Sequence, residues 1–158
     1  MAAIDSKDLL RGFPVILEMD ISWGDMDVYG HVNNTRYFRY FEDARIRYWE
    51  TLAFTEEDAP RHLGVIVAST SCKFRAPLTY PDRIFVAARV LHLDEQRFSM
   101  SYKIISQKLG KIAAMGDALM VGYDLKDLRP MNFTERVRDK IRAMEQSCGN
   151  RVDESVRD

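Results

Sequence analysis

Trp23-Gly24-Asp25-Met26-Asp27-Val28-Tyr29-Gly30-His31-Val32-Asn33-Asn34 gathers two carboxylates, an imidazole and two amides into one short segment. The residues on either side of it decide the fold. Before it, Val15, Leu17, Met19, Ile21 and Trp23 alternate with Ile16, Glu18, Asp20 and Ser22, the period-two pattern of a strand with one buried face. After Gly30, the apolar residues Tyr37, Phe41, Ala44, Tyr48 and Leu52 recur every three or four positions and make one face of an amphipathic helix. Asn33 or Asn34 can cap that helix by accepting a backbone N–H bond. On its other face, Arg39 with Asp43 and Asp43 with Arg47 are four apart and suited to weak ion pairs.

Past Pro60 the pattern changes to strands. Four runs are predicted: Val65 to Phe74, Ile84 to Leu93, Phe98 to Ile104, and Ile112 to Tyr123 after the turn Leu109-Gly110-Lys111. The connections between them are short, which favours antiparallel pairing. A loop from Asp124 to Pro130 leads to a last helix carrying Phe133, Val137, Ile141 and Met144 as a stripe. The order of elements implies an α+β chain: an antiparallel sheet of about five strands curved around a long central helix, plus a C-terminal helix. One domain over residues 1–147 is expected, followed by a charged, disordered tail over 148–158. Ala113, Met115, Leu119 and Val121 face away from Ala114, Ala118 and Met120, so both faces of the last strand are apolar and a second subunit is expected to cover one.

Composition narrows the function. The 158 residues include 23 basic and 24 acidic side chains, for a net charge of −1, and this balance gives no support to generic binding of nucleic acid or an anionic membrane. No run approaches the roughly 20 apolar residues of a bilayer span. The first residues mix Asp5, Lys7, Asp8 and Arg11 among apolar positions, unlike a secretory signal. Cys72 and Cys148 stand far apart and read as reduced thiols in a cytoplasmic protein.

Taken alone, the Asp, Asn and Gly residues of the opening segment suit turns and caps, with His31 packed beneath. Extended through Tyr37-Phe38-Arg39-Tyr40-Phe41-Glu42-Asp43-Ala44-Arg45, however, the segment closely resembles the D-x-D-x-x-G-H-V-N-N-x-x-Y signature of the 4-hydroxybenzoyl-CoA thioesterase-like branch of the hot-dog superfamily. That resemblance implies a hot-dog fold and hydrolysis of an acyl-CoA thioester. It also implies a homodimer or homotetramer with its sites at the dimer interface.

Carried over by position, the resemblance makes Asp27 the catalytic carboxylate, as nucleophile or as the base that activates water. The backbone N–H of Asn34 becomes the donor to the thioester oxygen, helped by the positive end of the helix dipole. Asp25 either shares a proton with Asp27 or braces the loop, and bracing fits its type better. His31 supports the loop or protonates the departing thiolate, which needs little help. Glu42 is a reserve carboxylate, expected to pair with Arg39 or Arg45 instead.

Lys73 and Arg75 precede a Pro turn and are placed, by the resemblance, near the phosphates of CoA; protective charge on a strand edge would explain them equally. Tyr37 is a candidate for the acyl pocket, although it and Phe38, Tyr40, Phe41, Tyr48 and Trp49 suit a core. Asp117, among apolar neighbours in a strand, is expected to meet a basic partner at an interface. Asp25, Asp27 and His31 are too few to suggest a metal site, and no cofactor is expected beyond CoA as part of the substrate. Two other readings use the same scaffold: a thioesterase acting on acyl carrier protein, and a non-catalytic acyl-CoA sensor.

Overall fold

The computed structural model describes residues 5–155. The chain forms α1 (Ser6–Leu9), β1 (Val15–Asp20), α2 (Asn34–Leu52), β2 (Leu63–Phe74), β3 (Arg83–Leu93), β4 (Arg97–Ser106), β5 (Lys111–Asp124), β6 (Arg129–Pro130) and α3 (Glu135–Ser147). The strands make one antiparallel sheet in the order β1-β3-β4-β5-β2, with the two-residue β6 added to β5. The sheet curls around α2, which is the predicted α+β architecture with α1 and β6 as small additions.

The core follows from the two periodicities. Tyr37, Tyr40, Phe41, Ala44, Tyr48 and Leu52 are the buried residues of α2. They face Ile84, Val86, Ala88 and Val90 of β3 and Phe98, Met100, Tyr102 and Ile104 of β4, all buried at alternate positions. Each large side chain buried in this way contributes about 1.5–3 kcal/mol. Gly116 sets how closely the helix can lie, because a Cβ there would come within 2.3 Å of the Phe41 ring. With that space free, Phe41 stacks on Tyr102 at a centroid distance of 4.9 Å.

Several expectations are corrected. β1 ends at Asp20 instead of running to Trp23, because Asp25 reaches back to the Ser22 N–H and closes a 3₁₀ turn over Trp23–Asp25. Trp23 is left exposed. The ion pairs on α2 form at spacing three, Arg39 with Glu42 and Arg47 with Glu50, rather than through Asp43. The expected disorder of the tail does not describe residues 150–155: Val152 is buried, and Asp153 donates its N–H to Leu91 O and accepts from Leu93 N beside β3. Residues 1–4 and 156–158, included in the expected domain and tail, lie outside the described residues.

The outer face of the sheet is covered in part by the chain itself. Leu9, Leu10 and Phe13 pack on Ala87, Ile105, Phe85 and Ile112, and Lys103 donates to Leu9 O. The apolar side chains left uncovered there include Ile16 of β1, Ile66 of the edge strand β2 and Met115 of β5, while Phe74 at the end of β2 is exposed but turned toward Tyr37 of α2. Asp117 is exposed on that outer face and accepts from Ser71 Oγ at 2.8 Å, so it is neither buried nor without a partner. Among the described residues, no helix is long and apolar enough to cross a membrane.

Candidate active site

The opening segment folds into a short loop stitched to the head of α2. Met26 and Val32 bridge as an antiparallel pair, and Asp27 N donates to His31 O at 3.0 Å. Gly30 sits between them at φ +74°, a left-handed conformation in which an L side chain would be strained. Val32 N then donates to Leu78 O at 2.8 Å, which ties the loop to the segment after β2.

The two aspartates differ sharply in environment. Asp25 is buried, and both its oxygens have partners: Oδ2 accepts from Ser22 N at 3.3 Å and Tyr40 Oη at 2.8 Å, while Oδ1 pairs with Arg36 Nε at 2.8 Å. The Tyr40 phenol is pushed well above its usual pKa by burial and by the Asp25 carboxylate, so it stays a donor. Asp27 is half-buried; its Oδ1 accepts from Tyr29 N at 2.9 Å and its Oδ2 from Asn33 Nδ2 at 3.1 Å. Both of its oxygens keep lone pairs for another partner.

Asn33, not Asn34, is the N-cap of α2, accepting from Thr35 N at 2.9 Å. Asn34 opens the helix, and among the described residues its N–H has no partner. A cleft of about 320 Å³ lies beside it, lined by His31, Val32, Asn34, Tyr37, Phe74, Arg75, Ala76 and Pro77. This brings together four of the residues singled out from sequence: His31, Asn34, Tyr37 and Arg75. Asp27 does not line this cleft; it is held to Asn33, the residue before Asn34.

Tyr37 packs edge-on against Phe74 at 4.9 Å, and burial raises its pKa. Lys73 points to the outer face, beside Met115, while Arg75 also borders an outer hollow of about 370 Å³ with Lys111 and Leu9. Glu42 pairs with Arg39 at 2.7 Å and Arg45 at 3.9 Å, away from the loop.

Two features escape a reading of the sequence. Arg36 and Tyr40 hold Asp25 from one turn apart on α2, a spacing visible once Asp25 is known to be buried. An apolar pocket of about 330 Å³, lined by residues including Trp49, Phe54, Leu63, Val65 and Phe133, lies at the opposite end of α2. Among the described residues no three His, Cys, Asp or Glu side chains come together as metal ligands, and Cys72 and Cys148 are free thiols. Burial raises the Cys72 thiol to about 11.

A curled antiparallel sheet around a nineteen-residue central helix is the hot-dog fold, and the relatives that share it make the chain a thioester hydrolase. The chain belongs to the thioesterase-like superfamily, whose family model matches residues 21–141. It is 32% identical to a thioesterase from Thermus thermophilus solved with coenzyme A and Zn, with a TM-score of 0.74 over 85% of this chain and 97% of that one. It is 25% identical to the long-chain acyl-CoA thioesterase FadM of Escherichia coli, over 75% of this chain and 90% of that protein. A DHNA-CoA thioesterase from Staphylococcus aureus, 20% identical, shares the fold at a TM-score of 0.74 over 89% of this chain and 98% of its own.

Proposed function

We propose that this chain hydrolyses an acyl-CoA thioester to a free acid and CoA, with Asp27 as its catalytic carboxylate. The observation that carries the reading is the placement of that carboxylate beside the first turn of α2, where the leading N–H, that of Asn34, has no partner among the described residues. A thioester carbonyl in the cleft beside Asn34 would direct its oxygen at that N–H and at the positive end of the helix dipole. Charge that develops on the oxygen in the tetrahedral intermediate is stabilised there.

Asp27 acts in one of two ways. As a nucleophile it bonds to the carbonyl carbon, the C–S bond breaks, CoA leaves as thiolate, and water then cleaves the mixed anhydride. As a base it takes a proton from water while the water oxygen attacks the carbonyl carbon; the C–S bond then breaks, and the departing CoA thiolate or bulk water takes the proton from Asp27. Asp25, with both oxygens occupied, braces the loop, and His31 at the cleft wall supports or orients water. Arg75 meets the phosphate-bearing end of the substrate, with Lys73 and Lys111 on the outer face beyond it.

β2 pairs with β5 along one edge only, and its other edge, beside the exposed Ile66, Val67 and Phe74, invites pairing with another chain. A homodimer through that edge would bring partner surface to the cleft and to Asp27. The decisive experiment measures thiol release from a panel of acyl-CoAs by wild-type protein and by Asp27→Asn. Turnover by the wild type and a loss of orders of magnitude in the variant, with acyl-CoA binding kept, is the expected result. Binding without turnover of any thioester would instead make the chain a sensor.

A further inference from the structure

Asn33 joins two structures that are usually treated separately, the helix cap and the catalytic carboxylate. Its Oδ1 accepts from Thr35 N at 2.9 Å and from Thr35 Oγ1 at 2.7 Å, and its Nδ2 donates to Asp27 Oδ2 at 3.1 Å. Its main chain is fixed as well: Asn33 N donates to Asp25 O at 2.9 Å, and its own carbonyl accepts from Arg36 N at 3.0 Å.

The orientation of the amide follows from chemistry. A backbone N–H such as that of Thr35 can only donate, and an ionised carboxylate can only accept. The oxygen of the amide must therefore face the helix and its nitrogen must face Asp27. The cap thus uses the first turn of α2 to aim an N–H at one oxygen of the carboxylate, while Tyr29 N fixes the other.

We infer that Asn33 is a positioning residue for hydrolysis: through its cap on α2 it holds the Asp27 carboxylate in register with the Asn34 N–H that receives the thioester oxygen. The inference rests on the reading of Asp27 as the catalytic group. It assigns to the Asn33 side chain a role that a cap alone does not have, because a cap needs only the oxygen. Register matters because a small misplacement of a reacting group is costly in rate even when substrate binding is unchanged.

Cap and donor can be separated by mutation. Serine caps helices about as well as asparagine, so Asn33→Ser keeps the acceptor for Thr35 but has no N–H that reaches Asp27. Its expected phenotype is an unchanged thermal midpoint and a kcat lower by about tenfold or more, the effect of losing a hydrogen bond to a charged group. KM should stay within about twofold of wild type, since only reactive geometry is lost. Asn33→Ala, which also loses the cap, should show the same fall in kcat together with a lower midpoint. Thr35→Val leaves the backbone N–H but removes the hydroxyl that helps orient the amide, and should lower kcat by a smaller factor at constant KM.

Wild-type kcat in Asn33→Ser would reduce Asn33 to a cap and overturn the inference. Should that variant not fold, Asn33→Asp retains a good cap while replacing the donor by a second acceptor, and a wild-type kcat there overturns the inference equally. Asp27→Asn separates the two levels of the argument. If it is inactive while Asn33→Ser is unimpaired, only the positioning role fails; if it is fully active, the reading of Asp27 fails and the role of Asn33 with it.

Discussion

The two ends of α2 each join a tyrosine hydroxyl to a buried carboxylate, and they use the bond differently. Near the start, Tyr40 donates to Asp25 at 2.8 Å; two turns later, Tyr48 donates to Glu145 at 2.7 Å. Asp25 shares its other oxygen with Arg36, whose side chain is 46% exposed, so this end stays open to water next to the cleft. Glu145 is fully buried, and its remaining partners are neutral: Val90 N at 2.7 Å and Asn150 Nδ2 at 2.9 Å. One joint braces the loop that carries Asp27. The other seals α2, α3, β3 and the tail together. Both phenols are held above their usual pKa by burial and by the neighbouring carboxylate, so each remains a donor throughout the working range of pH.

The contrast predicts that damage at the first end appears in rate and damage at the second in stability. Asp27→Asn is the most extreme case. It keeps the shape of the side chain and should lower kcat by about 10³-fold, with a thermal midpoint close to that of wild type. Steady-state kinetics and a melting curve on the same preparation check both halves. A large loss of stability here would show that the loop is part of the structural frame, and the contrast would break.

Glu145→Ala should do the reverse. It strands the Val90 N–H and the Tyr48 hydroxyl in a closed interior, which costs about 3–5 kcal/mol when charge-assisted bonds are lost together. Denaturant titration measures that loss, while the fraction that stays folded should keep most of its wild-type kcat. Asp25→Asn falls between the two. An amide cannot reproduce the pair with Arg36, so about 2 kcal/mol of stability and about tenfold in kcat should be lost together. Equal kinetics for Asp25→Asn and wild type would detach the first brace from the chemistry.

Much of the contrast is legible in the sequence, and the rest is hidden for identifiable reasons. The stripe on α2 and the alternation of Phe98, Met100, Tyr102 and Ile104 are local periodicities, and burial obeys them. The loop residues are recognisable because their motif is contiguous. Glu145 is harder: its partner Tyr48 lies 97 residues away, and the only local sign is a charge four positions after Ile141, on the apolar stripe of α3.

The polar composition of the tail misleads, since one apolar residue, Val152, and backbone bonds suffice to seat it where β3 bulges between Val90 and His92. That bulge shifts the alternation by one residue, so that Leu93 rather than His92 continues the core row of Val86, Ala88 and Val90, which no propensity signals. That Asp27 stays out of the cleft lining, held by Tyr29 and Asn33, depends on how a short loop is hydrogen-bonded, and residue type alone does not reveal it.

The smallest expected effect concerns a latch at the closed end. Asp58, in the loop after α2, accepts from Lys140 Nζ of α3 at 2.7 Å and from Thr55 N at 2.8 Å. Lys140, followed by the Thr55 N–H, lowers the Asp58 pKa to about 2. A carboxylate whose pKa is lower in the folded chain than in the unfolded one, where it is about 3.9, stabilises the fold above the higher value. That contribution is lost as pH falls from about 4 toward about 2. Asp58→Asn should therefore melt a few degrees at most below wild type at pH 7, since such pairs are screened by water. Because the amide does not titrate, the gap between the two proteins should narrow across that acidic interval, and kcat at neutral pH should not change. A fall in kcat at neutral pH would mean that the closed end of α2 communicates with the cleft, and the division between bracing for rate and sealing for stability would no longer hold.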